Sequence, residues 1–222
     1  MISIVIPALN EERALPGTLA RVIEQAGAYE AIVVDGGSTD ATCALARRPG
    51  VRLIQAPRGR ARQMNAGARV ARGEWLLFLH ADTLLPRDGL ARIAALPRDV
   101  DAGCFEQRFS GADWRLALIS RLHNFRCRRT GVMYGDQAMF VRRRVFESLG
   151  GFPDVEHLED VIFTERLARR GRPTVVSAEV VTDSRKFVKM GILRSLGRCL
   201  VILLCYELRL PVPARAFFAP IR

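Results

Sequence analysis

Lysine is nearly absent from this chain. Lys186 and Lys189 are the only two among 34 basic residues, the rest being arginine. Cysteine is sparse and poorly spaced for pairing. Cys43, Cys104, Cys127, Cys199 and Cys205 are odd in number and form no Cys-x-x-Cys. That argues against a disulfide framework and against a thiolate zinc site, and reduced thiols in a cytoplasmic setting are the expectation. No apolar run approaches the ~20 residues a membrane-spanning helix needs. The chain enters a strand pattern at Ile2 with no basic segment or cleavage site before it, so no signal peptide is expected. No repeat recurs at a fixed period, and no Gly-rich, Lys-containing loop follows the first strand to hold a triphosphate. The basic residues are spread rather than interleaved with aromatics, so no nucleic-acid partner is expected.

What is present suits a folded α/β chain. With 222 residues, 49% hydrophobic and 26% charged, there is material for one large domain, or for one domain with a C-terminal extension, and disorder is not expected. The net charge is +11. Carried by arginine, whose planar fork binds paired oxygens, it favours phosphate or phospholipid-headgroup partners; genomic base composition explains it equally well.

The chain is organised around Glu74 to Thr83. Trp75 to Leu79 form an unbroken apolar run, short enough for a strand buried on both faces, and it stops at His80 and Asp82. Before it, strand patterns at Ile2–Ile6, Ala31–Val34 and Val51–Ile54 alternate with helix patterns at Leu15–Ala26, 40–47 and Arg60–Val70. Pro16 fits a first helical turn, and Thr39 or Asp40 a cap. This alternation predicts a doubly wound, mostly parallel sheet flanked by helices. Successive strands then deliver Asn10/Glu11, Asp35 and Asp82 to one carboxyl edge, where open sheets bind ligands. Beyond Pro86 helices are expected at Leu90–Leu96, Trp114–Arg126, Arg143–Leu149, His157–Arg169 and Leu193–Leu208, with strands at Asp101–Phe109, Ala138–Val141 and Thr174–Val181. The segment from Arg108 to Val132 carries no readable motif.

Ile4-Val-Ile-Pro-Ala-Leu-Asn-Glu11, Val34-Asp-Gly-Gly-Ser-Thr-Asp40, the Asp82 motif and Glu159-Asp160 resemble, in order and spacing, the family 2 glycosyltransferases. The resemblance covers roughly Ile2 to Val181. The segments from Ala56 to Gly67 and Leu77 to Thr83 look more specifically like a stand-alone bacterial subgroup labelled arsenosugar biosynthesis glycosyltransferases. The resemblance implies an inverting enzyme of the GT-A fold, a UDP- or GDP-linked sugar donor, and Mg²⁺ or Mn²⁺. By the same resemblance, Pro7, Ala8, Leu9, Asn10 and Glu11 form the donor-binding first loop, with Asp35 near the nucleotide. Many members place a second Asp after that position, where this chain has Gly36, which leaves the base undetermined. Gly59 and Arg60 would open a helix over the diphosphate, a placement suited to anions, and Asn65 and Gly67 lie on turns facing the site. Asp82 would hold the metal at the last position of an Asp-x-Asp-like His80-Ala81-Asp82, with His80 second to it or structural. Asp160 would be the base that deprotonates the acceptor, and Glu159 would orient or bind it. Asp136 and Gln137 would touch sugar or acceptor hydroxyls, while Arg185 and Lys186 would approach the diphosphate.

Plainer readings stay open for each. The Asn10-Glu11 pair also starts a helix, Asp35-Gly-Gly-Ser also makes a turn, Arg62 also suits a solvated face, and Glu159-Asp160 also suits a helix N-terminus. A sugar nucleotidyltransferase and a non-catalytic nucleotide- or anion-binding protein are the alternative functions. The boundary expected between a transferase domain and a C-terminal extension is 1–187 and 188–222. In that extension Leu193, Leu196, Leu200, Leu203 and Leu204 form an apolar stripe flanked by arginine, suited to packing, to a homodimer, or to a membrane interface.

Overall fold

The computed structural model describes residues 1–208 and Leu210. Its eight strands form one sheet in the order β3-β2-β1-β4-β7-β6-β8-β5. β1 (Ile2–Ala8), β2 (Tyr29–Asp35), β3 (Val51–Gln55) and β4 (Trp75–Phe78) run parallel, linked by α1 (Leu15–Ile23), α2 (Thr42–Ala46) and α3 (Arg60–Val70). β4 is buried at all four residues and lies between β1 and β7, as an unbroken apolar run requires. Alternating side chains feed two cores. Ile4, Ile6 and Leu77 join Leu15 and Leu19 of α1 on one face, while Val5, Leu76 and Phe78 join Met64 of α3 on the other.

Beyond β4, where the strand–helix alternation of the sequence loosens, the sheet is mixed. A two-residue β5 (Thr83–Leu84) and α4 (Gly89–Ala94) precede β6 (Ala102–Phe109) and α5 (Trp114–Thr130). A 3-10 turn at Gly135–Gln137 reverses the chain into β7 (Phe140–Arg142), antiparallel to both β4 and β6. α6 (Arg143–Ser148) and α7 (Glu159–Ala168) lead to β8 (Thr174–Thr182), parallel to β6 and antiparallel to β5. Strand–helix alternation stops informing once a strand is entered from a turn, because direction then follows the connection rather than the pattern.

α8 (Arg185–Met190) and α9 (Ile192–Glu207) close the described chain. Position 188, the expected start of an extension, falls inside α8. Phe187 and Ile192 pack with Phe109 and Leu116 of β6 and α5, so these helices share a small core with the sheet. The Leu203 side chain and residues 211–222 lie outside the described residues.

Candidate active site

Parallel register places the ends of β1 and β2 side by side, with Ala8 opposite Asp35 and Val5 opposite Phe78 of β4. The loops leaving that edge are sewn together. Asn10, in the left-handed region at φ 56°, receives Thr39 N–H at 2.8 Å and donates its own N–H to Ser38 Oγ at 2.9 Å. Glu11 N–H reaches Thr42 Oγ1 at 2.8 Å. Asp35 turns back on its own loop, accepting from Gly37 N–H at 2.9 Å and Ser38 N–H at 3.1 Å. Burial opposes its charge, yet these bonds hold it below the ordinary range. Pro7 and Leu9 are half-buried beside buried Ala8.

Gln63 is the residue sequence reasoning missed here. Its Nε2 donates to Ala8 O at 2.8 Å and Val34 O at 2.9 Å, bridging the two strand ends. A Cβ on Gly36 would lie 2.9 Å from the Gln63 side chain, so a larger residue there would have to displace Gln63 from its bridge. The signal was a polar residue on the apolar face of α3.

Arg60 begins α3 directly after Gly59, whose φ of 137° suits glycine. Its Nη1 lies 3.3 Å from Glu159 Oε1. Crowding by the protein disfavours its charge, but Glu159, Asp160 and Asp82 together raise its pKa. One guanidinium thus sits among three carboxylates, two from α7 and one from the turn after β4. Asp82 is itself raised, first by burial and then by Asp183 and Asp136, with Arg60 opposing. Asn65 instead clasps the loop before α7, with Nδ2 to Phe152 O at 2.8 Å and Oδ1 from Phe152 N–H at 3.0 Å. Gly67 packs on Val5 and Val34, and Arg62 pairs with exposed Asp154 at 2.8 Å. Those three residues are engaged away from Asp82, Glu159 and Asp160. Ala81 is buried, its carbonyl taken by Thr18 Oγ1 at 2.7 Å.

Leu158, at φ 63°, turns the chain so that both Glu159 and Asp160 face inward, 2% and 9% exposed. Their side chains diverge as neighbours on a helix must: Glu159 meets Arg60, and Asp160 Oδ2 accepts Gly135 N–H at 2.7 Å. Gly135 has no room for a side chain, since a Cβ would lie 2.5 Å from His80 Nε2. His80 therefore packs on the turn that carries Asp136. Burial, then Arg60, pushes its pKa down to about 3, leaving a neutral imidazole. Asn10, Ala138 and Leu158 are the non-glycine residues of positive φ among those described, and all three border this site, where backbone strain gathers.

α5 supplies a further missed residue. His123 Nε2 lies 3.9 Å from Asp136 Oδ1, and its ring makes a tilted contact with Tyr134 at 4.7 Å, itself covered by the Arg126 guanidinium at 3.8 Å. Asp136 is raised to about 7, by burial first and Asp160 second; Glu11 is raised to about 7 by burial and Asp82. Gln137 is buried, its Oε1 receiving Tyr134 N–H at 3.0 Å. From α8, Arg185 pairs with Asp183 at 2.5 Å and acts through space on Glu11. Burial, then Arg60, lowers Lys186.

These shifts set a pH dependence. The Asp136 carboxyl ionises at its ordinary 3.8 in the unfolded chain and at about 7 when folded. The folded state therefore holds the extra proton between those values. Stability is complete below about pH 4, falls as pH rises towards about 7, and is level above it. Glu11 contributes with the same sign. Asp136→Asn cannot ionise and should gain on the order of 2 kcal/mol over the parent at about pH 8, discounted for partial solvation. The gain should narrow towards about pH 5 in urea titrations. An equal gain at both pH values would show that the carboxyl is not the buried acid described.

A family model described as Glycosyl transferase family 2 matches residues 3–150. The chain belongs to this family. Among relatives of this family-2 chain, the PGL/p-HBAD biosynthesis glycosyltransferase of Mycobacterium bovis is 36% identical over 167 residues, covering 68% of this chain and 63% of the relative. The chain thus spans less than two thirds of that relative's length. Among solved structures, the mannosyltransferase of Pyrobaculum calidifontis in complex with GDP-Man and Mn²⁺ has a TM-score of 0.70 at 24% identity, covering 97% of this chain and 67% of that one. Staphylococcus aureus TarS 1-349 in complex with UDP has a TM-score of 0.67 at 19% identity, covering 89% and 65%. The mixed α/β sheet flanked by helices is the GT-A fold of these glycosyltransferases.

Proposed function

We propose that this chain transfers a sugar from a nucleoside-diphosphate sugar to an acceptor hydroxyl by inverting single displacement. The observation that carries this reading is Arg60 at a helix N-terminus, set among Asp82, Glu159 and Asp160 at the carboxyl edge of the sheet. Loops 7–11 and 35–40 form the nucleotide side and α7 the acceptor side. Asp160 takes the proton of the attacking hydroxyl, whose oxygen bonds to the anomeric carbon as the bond to the diphosphate breaks. The departing electron pair stays on the diphosphate, beside Arg60. Glu159 holds Arg60 in place. Gly135 N–H fixes the Asp160 carboxylate, and Asp136 and His123 offer polar atoms to the acceptor.

Asp82 suits a divalent cation. Its half-buried carboxylate is raised by desolvation and then by two further acids, an excess of negative charge that Mg²⁺ or Mn²⁺ would relieve. One carboxylate fits a hard ion that completes its shell with phosphate oxygens and water. Among the described residues no group of three or more His, Cys, Asp or Glu could hold a metal ion. When bound, such an ion stabilises charge on the diphosphate.

The donor class rests on the P. calidifontis and S. aureus neighbours, whose complexes contain GDP-Man and UDP. Membership of the subgroup labelled with arsenosugar biosynthesis is supported by segments 56–67 and 77–83. No described helix is long and apolar enough to cross a membrane, and a cytoplasmic setting with residues 188–222 as an extension belongs to this proposal.

The test is a panel of nucleoside diphosphates and nucleotide sugars, scored by thermal shift with and without Mn²⁺. A metal-dependent rise with UDP or GDP species is expected. No shift with any nucleotide would overturn the donor reading in favour of a binding role.

A further inference from the structure

The inner side of α5 carries Leu116, Ser120, His123 and Cys127 towards the protein. Its outer side is unusual for a surface helix. Trp114, Leu118, Leu122 and Phe125 recur at helical spacing and are 72%, 46%, 57% and 64% exposed. α9, packed beside α5, repeats the arrangement with Leu193, Leu200 and Leu204, each more than half exposed. Scattered apolar residues at a surface need no explanation, but two adjacent helical stripes mark a docking face.

The charge around these stripes selects the occupant. No acidic residue occurs between Trp114 and Thr130 or between Arg185 and Tyr206. Arg121 and Arg129 are exposed on α5, as is Arg194 on α9. A second copy of the chain docked on the same face would set arginines against arginines with no acid to answer them, a like-charge arrangement that interfaces avoid. A bilayer with anionic headgroups matches both features, accepting the apolar side chains below the headgroup level and the guanidiniums at it. We propose that the outer faces of α5 and α9 dock this protein on an anionic lipid surface. His123, on the inner side of the same α5, meets Asp136 at the active site, so the docked face adjoins the region assigned to the acceptor. The docking itself does not depend on the transferase reading.

Trp114 is a built-in reporter, because the other tryptophan, Trp75, is 5% exposed and covered by the Arg142 guanidinium. The full chain is mixed with vesicles of phosphatidylcholine alone, or of phosphatidylcholine and phosphatidylglycerol in equal parts. With the anionic vesicles Trp114 emission should shift to the blue and be quenched by brominated acyl chains, and partition should weaken as salt is added. Leu122→Glu with Phe125→Glu should lower partition by about tenfold or more, with unfolding midpoint and nucleotide response unchanged. If that pair misfolds, Leu118→Ser with Leu200→Ser should lower partition in the same direction. Three results would each overturn the proposal. One is no partition into anionic vesicles. Another is a solution dimer that the charged pair dissociates. The third is a lipid-free monomer in which iodide cannot reach Trp114, showing that the chain covers its own stripe.

Discussion

Asp160→Asn should lower sugar transfer by about 10³-fold or more while leaving donor affinity within about twofold, since a positioned base supplies ~10²–10⁴ of the rate. The carboxylate is held at both oxygens, Oδ2 by Gly135 N–H at 2.7 Å and Oδ1 by Val161 N–H at 2.8 Å. An asparagine keeps one acceptor and turns an NH₂ on the other donor, at a cost on the order of 1 kcal/mol. The unfolding midpoint should drop slightly and the fold should persist. Glu159→Gln is the contrast. Glu159 pairs with Arg60 rather than with the turn, so its loss should weaken donor binding through Arg60. Equal loss of donor binding and turnover in Asp160→Asn would remove Asp160 from the role of base.

Much of the first half of the fold was legible. Trp75–Phe78 is the buried central strand because an apolar run that short has no other stable place. The edge where Asp35 and Asp82 emerge follows from parallel strands sharing direction. Helix limits were less so. α1 ends at Ile23, three residues before Ala26, and α2 spans only Thr42–Ala46, with its N-cap at Ala41. Asp40 spends one oxygen on Thr42 N–H and the other on Glu12 N–H of the first loop, a tertiary tie that local capping rules do not foresee.

The second half was harder, because its groups meet by topology. His123 belongs to an arginine-rich helix with no motif, and it reaches Asp136 only because α5 packs along β6 and the 3-10 turn doubles back beneath it. Asn65 read as a site residue and is a clasp for Phe152 across 87 positions. α8 escaped notice since its six residues bury nothing fully, and without burial there is no periodic stripe to see. Yet α8 carries Arg185 and Lys186 to the carboxylate cluster.

Asp82→Ala should produce opposite signs in two measurements. Burial raises the Asp82 carboxyl, and Asp183 and Asp136 add repulsion that Arg60 only partly offsets. Removing the carboxylate relieves that repulsion, so the nucleotide-free variant should unfold no earlier than the parent, and later above about pH 7, where Asp136 is charged. Nucleotide binding should move the other way. In the parent, Mn²⁺ should strengthen UDP or GDP binding on the order of a hundredfold, because the ion neutralises both the diphosphate and the acid cluster. In the variant that enhancement should vanish, leaving the weaker metal-free affinity supplied by Arg60 and the loops. Titration of nucleotide at several fixed Mn²⁺ concentrations separates the two effects. A general structural lesion would lower stability and binding together, whereas loss of a metal ligand removes only the metal-dependent part. An unchanged Mn²⁺ titration would exclude Asp82 as the ligand. The neighbouring excess of carboxylates would then serve protonation at Glu11 and Asp136 rather than a cation.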